Sequence, residues 1–157
     1  SGTSETVRRV RMELSRRDLT DVTVVVDEPG LGGGVIDQLK EKKRSDPSFS
    51  RRIRRVNGFN GGRRARNSSR FFNRRAEVFW KLRRKLEEGE IALPDDERLA
   101  EELVSMRWQL SNSGTVQMEA KDDTRSTLGR SPDRADAVAM AFDERGRALG
   151  GALLPGV

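Results

Sequence analysis

Apolar residues recur along this chain at two spacings, and the spacing changes from one stretch to the next. In residues 5–15, Val7, Val10, Met12 and Leu14 sit among arginines in the pattern of an amphipathic helix whose basic side faces water. Asp18 and Asp21 signal its end. Residues 22–26, VTVVV, are β-branched throughout, which predicts a strand covered on both faces in a parallel sheet and closed by Asp27. The segment EPGLGGGVIDQLKEKK then reads as a glycine turn leading into a helix with Val35, Ile36 and Leu39 inward, so the whole is a strand, turn, helix unit. Residues 45–50 are polar and contain Pro47, the composition of a loop, and residues 53–56 read as a short strand carrying its arginines outward.

Glycine, asparagine and arginine dominate residues 57–70, where the sequence predicts an exposed and weakly ordered loop. Asn73 suits the N-cap of a helix reaching about Glu88, with Ala76, Phe79, Trp80, Leu82 and Leu86 apolar and Gly89 as the stop. Residues 91–94 are a short extended piece. Asp95 or Asp96 caps a further helix through Leu103, and residues 107–110 and 115–119 form a hairpin around Asn112 and Gly114. The polar stretch KDDTRSTLGR precedes a last helix, for which Ser131 is a natural N-cap and Pro132 fits the first helical position. The glycine-rich tail, residues 143–157, is expected to fray, and residues 1–4 read as a tag remnant. Residues 1–157 are read as one domain, long enough to bury a core with 34% hydrophobic residues.

Charge changes the picture. Lys and Arg number 31 against 25 Asp and Glu, a net charge of +6, and a surface of that sign attracts polyanions, nucleic acid first among them. The plainer reading is that 36% charged residues keep the protein in solution. Cysteine and histidine are both absent, which excludes disulfides, thiolate or imidazole metal sites and any histidine-based triad. Oxygen must hold any metal, and carboxylates select hard cations such as magnesium, manganese or calcium. No apolar run is long enough to span a bilayer and no signal peptide is visible, so the expected location is the cytoplasm.

Two segments carry the candidate chemistry. In VVVDEPGLGGGV, Asp27 stands at the carboxyl end of a strand, where α/β sheets bind ligands; alternatively Asp27 and Glu28 simply open the turn and cap the next helix. GLGGG lacks the Lys and Ser/Thr of a phosphate loop, which argues against a nucleotide-dependent small-molecule enzyme. In SPDRADAVAMAF, Asp133 and Asp136 lie three apart on one helix face. Asp133 suits a partner of the helix dipole. Asp136 lies deeper among alanines, where an unpaired charge is costly and a metal would remove that cost. Two divalent ions about 3.5–4 Å apart, bridged by carboxylates, hydrolyse phosphodiesters with acids and water alone. The arginine-rich loop, with Arg63, Arg64 and Arg66, is suited to the phosphate backbone.

Taken together, VVVDEPGLGGGVIDQLKE, FFNRRAEVFWKLRRKLEEGEIALPDD, VQMEAKDD and GRSPDRADAVAMAF, in that order, resemble the nuclease domain of the large terminase subunit of tailed bacteriophages. The resemblance covers about residues 22–142. It implies an α/β, ribonuclease H-like mixed sheet flanked by helices, a domain that cuts double-stranded DNA during genome packaging, and a two-metal site for Mg2+ or Mn2+. By position, Asp27 resembles the family's second metal-binding acid and Asp136 the acid of its final helix, with Asp133 as a further ligand or neighbour. Lys121 matches the basic residue before that helix, for contact with phosphate or neutralisation of an acid. Asn73, Arg74, Arg75 and Glu77 match a family motif, Arg74 and Arg75 being further candidates for DNA contact. Nothing before Val22 resembles the strand bearing the family's first metal-binding aspartate, and the ATPase motifs are absent, so the fold is expected to be N-terminally incomplete. The implied partners are the ATPase domain, the portal and the small terminase subunit, with self-association through an open edge of strand 22–26. The competing expectation is a catalytically inactive DNA-binding or assembly module of the same fold.

Overall fold

The computed structural model describes residues 2–143, which form two compact units, one up to Asn60 and one from Gly61 onward. The tail expected to fray lies outside the described residues from position 144.

The first unit is a parallel two-stranded sheet under helices. Helix α1 (Gly2–Arg16) and helix α2 (Gly32–Ser45) pack together, and α2 lies on β1 (Val22–Asp27) and β2 (Ile53–Phe59). The two strands pair in parallel from Val22 opposite Ile53 to Asp27 opposite Phe59. Leu14, Val35, Leu39, Phe49 and Ile53 form the core, and Val22, Val24, Val26 and Val56 of the sheet's covered face pack against it. Burial of these side chains, at roughly 25 cal/mol per Å2 of apolar surface, supplies the main drive for the unit. On the other face of β1, Thr23 and Asp27 are exposed, so the strand is covered less evenly than its sequence predicts. Among the described residues β1 pairs with β2 alone.

Residues 45–50 are not a loop. Helix α3 (Pro47–Arg52) begins there because the Asp46 carboxylate accepts the backbone amides of Ser48 and Phe49 at 3.0 and 3.2 Å, with Pro47 in the first turn. Phe49, only 2% exposed, anchors it. Pro47 therefore starts a helix instead of breaking one.

The second unit surrounds α4 (Arg74–Glu87), capped by the Asn73 side chain on the amide of Ala76 at 3.0 Å. Helix α5 (Glu97–Ser105) is capped by Asp96, and an antiparallel hairpin joins β3 (Trp108–Leu110) to β4 (Val116–Met118). The stretch KDDTRSTL, expected only as a polar connection, is helix α6 (Lys121–Leu128), closed by Gly129 in the left-handed conformation (φ 77°). The last helix, α7 (Asp133–Ala141), packs on α4 and α5. Ala65, Phe71, Ala76 and Val116 form the core of the hairpin side.

Two further sequence expectations fail. Ser131 does not cap α7: Pro132 holds the cap position without a side-chain bond, and the caps come from another helix. Residues 57–70 are not weakly ordered as a whole. Asn57 to Phe59 belong to β2, and the rest is pinned by a buried carboxylate, Glu77, which accepts the amides of Arg66 at 3.0 Å and Asn67 at 3.1 Å.

Candidate active site

Helix α7 presents Asp136 where α4 and α6 can reach it. Ala135 and Ala139 are fully buried, and their small side chains let the helix sit close against its neighbours. Asp136 follows one position on, 18% exposed at the side chain. Its two oxygens face different cations: Oδ1 is 3.4 Å from Nε of Arg75, and Oδ2 is 3.0 Å from Nζ of Lys121. The cost of a carboxylate among alanines is thus offset by ion pairing within the chain. Asp133, the other acid of α7, is exposed.

Lys121 is the first residue of α6, three positions beyond the end of β4, and its side chain is half exposed. Arg75 is buried. Its Nη1 donates to the carbonyl of Glu119 at 3.0 Å, and its guanidinium lies 5.1 Å from the centre of the Phe79 ring. The sequence offered Arg75 as a DNA contact, but the fold turns it inward, onto the acid. Arg74 is also inward, only 13% exposed at the side chain and paired with the buried Asp143. By contrast Arg63, Arg64 and Arg66 lie exposed on the loop held by Glu77, with Arg64 bonded to Ser68 at 2.9 Å and Arg66 3.8 Å from Asp143.

The position of Asp136 depends on a residue that sequence reasoning passed over. Glu102, on α5 and 2% exposed, accepts the amides of Arg134 at 2.8 Å and Ala135 at 2.9 Å, and so caps α7 from outside. Its carboxylate also meets the helix dipole in the favourable sense. Its signal was an acid three residues after the buried Leu99, on the apolar face of α5.

In the first unit, Asp27 is the exposed last residue of β1. The amide of Glu28 continues the pairing to Phe59 at 2.8 Å, and Gly32 brings the start of α2 so close that a β-carbon there would lie 1.7 Å from the Asp27 carbonyl oxygen. One glycine of GLGGG is therefore obligatory for packing. Within neither unit do three acidic side chains converge among the described residues. Taken one by one, Asp27, Asp133 and Asp136 offer carboxylate oxygen, the donor type that hard divalent cations prefer.

A parallel strand pair feeding a helix at its carboxyl end, then a basic helix, a hairpin and a final helix bearing a paired aspartate, make up a mixed α/β fold that solved structures share. No protein-family model matches the chain, nor does any curated protein. Among solved structures, the chain is similar to the nuclease domain of the large terminase subunit gp2 of bacterial virus Sf6, at 23% identity over 85% of this chain and 70% of that one, with a TM-score of 0.63. A lysine-to-alanine variant of that domain with manganese and beta-thujaplicinol aligns equally well, at 23% identity, the same coverage and a TM-score of 0.63. A calcium-containing form of the variant gives 24% identity over 82% of this chain and 67% of that one, with a TM-score of 0.60.

Proposed function

We propose that the chain is a divalent-metal-dependent DNA endonuclease domain of terminase type, hydrolysing phosphodiester bonds of double-stranded DNA. The observation that carries this reading is the placement of Asp136 between Lys121 and Arg75 in a fold whose solved representatives include manganese and calcium forms. In the second unit Asp133 and Asp136 are the acids proposed to hold Mg2+ or Mn2+, and in the first unit Asp27 is proposed as a metal-holding acid. A pair of such ions, when bound, supplies activation of the attacking water and stabilisation of the leaving oxygen. The chain's own residues do the remaining work. Lys121, half exposed, neutralises Asp136 at rest and has the reach of a flexible ammonium to exchange that bond for a phosphate oxygen. Arg63, Arg64 and Arg66 contact the backbone phosphates, and the remaining terminase parts, the ATPase domain, portal and small subunit, are the proposed partners.

Supercoiled plasmid incubated with the chain and Mn2+ is expected to be nicked, and EDTA, Asp27→Asn or Asp136→Asn to stop it. Undiminished nicking by folded Asp136→Asn overturns the assignment. A second reading, a catalytically inactive DNA-binding or assembly module, draws support from the occupation of both Asp136 oxygens by cations and from the lack, among the described residues, of three converging acids within either unit. It expects retarded plasmid mobility without nicking at any metal concentration.

A further inference from the structure

Arg75 reaches two segments of the second unit from a third. It stands at the start of α4 and is 9% exposed; Nη1 donates to the Glu119 carbonyl, two residues before Lys121, and Nε lies 3.4 Å from Oδ1 of Asp136 on α7. The flat face of the guanidinium rests near the Phe79 ring and its remaining nitrogen near Sδ of Met106, at 3.9 Å. We infer that Arg75 is a positioning residue that holds the Asp136 carboxylate and the turn presenting Lys121 in one fixed relation. This rests on the reading of Asp136 as a metal-holding acid.

The argument is geometric. A guanidinium presents several donors in one rigid plane, so one side chain can address a carbonyl and a carboxylate that belong to different elements. A lysine keeps the charge but offers a single ammonium, which cannot reproduce both directions. Burial keeps Arg75 away from DNA, so its influence on phosphodiester chemistry must pass through the residues it touches. Outer partners of metal ligands commonly change metal affinity or activity about 10–100-fold when replaced.

Arg75→Lys isolates this effect, because the charge repelling a cation is unchanged while the fork is lost. Arg74→Lys is the matched control: Arg74 neighbours Arg75 on the same helix, is also inward, and pairs with Asp143. Calorimetric titration of the whole chain with Mn2+ alone is expected to show affinity about tenfold weaker in Arg75→Lys, unchanged in Arg74→Lys and lost in Asp136→Asn. Parental affinity in folded Arg75→Lys, or an equal loss in Arg74→Lys, overturns the positioning role. Parental affinity in Asp136→Asn instead overturns the underlying reading of the site. If Arg75→Lys does not fold, Phe79→Leu, which removes the ring beside the guanidinium and leaves its polar partners, is expected to weaken Mn2+ binding in the same direction, and unchanged binding there overturns the proposal.

Discussion

Replacing Glu102 with alanine removes the side chain that caps the start of α7, and the size of the effect follows from its contacts. Both amides, of Arg134 and Ala135, donate to the same oxygen, Oε2, and the other oxygen lies 3.6 Å from Nε of Arg130. A hydrogen bond to a charged group contributes about 1.5–3 kcal/mol, so the two bonds at the lower end give about 3 kcal/mol. A drop of that size corresponds to a melting point lower by roughly 10 °C for a chain of this length. Glu102→Gln keeps an acceptor in the same place without the charge, and is expected to cost about 1 kcal/mol. Trp80 and Trp108, the two tryptophans of the sequence, both belong to the second unit, so urea denaturation followed by tryptophan fluorescence reads the unit that contains α7. An alanine variant within about 1 kcal/mol of the parent, or a glutamine variant as unstable as the alanine one, refutes the capping argument.

Three further outcomes follow. Gly32→Ala places a methyl group 1.7 Å from the Asp27 carbonyl oxygen, so it should destabilise the first unit by at least about 2 kcal/mol, measured by circular dichroism; a neutral result contradicts the docking of α2 on β1. Asp96 has its carboxyl held below the ordinary value of 3.8 by the Leu99 amide first and by Arg134 after it. A depressed folded pKa stabilises above the unfolded value and is lost as pH falls through the folded one, so the second unit should weaken as pH drops below about 3.8, and Asp96→Asn should flatten that fall. Triple replacement of Arg63, Arg64 and Arg66 by alanine should reduce the slope of log affinity for DNA against log salt by up to about 3, and an unaltered slope would show the loop to be merely solvated.

Much of the fold was legible because local signals agreed with burial. The VTVVV run, the Asn73 and Asp96 caps and the apolar row of α4 each name an element that the structure contains. Helix α3 was missed because Pro47 was read as a breaker, although an acid directly before a proline equally well starts a helix. Helix α6 was missed because KDDTRSTL has no apolar stripe; Thr124 is its buried residue, bonded to Glu119 and to the Ala120 carbonyl. At the site, Asp136 was legible as an acid out of place on an apolar helix. Its partners were less so: Lys121 is 15 residues away and Arg75 lies 61 before it, and pairing over such distances is set by how helices pack and not by any local pattern. Arg74 and Arg75 read as surface cations for the same reason, since composition records charge and says nothing of its direction.

The grip of Glu77 on the loop at Arg66 and Asn67 has a consequence for recognition. Fixing a backbone residue costs about 1–2 kcal/mol of conformational entropy, and a basic loop that is ordered only on meeting its target loses that much, residue by residue, from its affinity. Here the segment carrying Arg63, Arg64 and Arg66 is shaped when the unit folds, with an internal carboxylate holding two of its amides. A polyanion meeting these arginines finds them already arrayed, so the attraction between charges is spent on contact and little of it on ordering the chain.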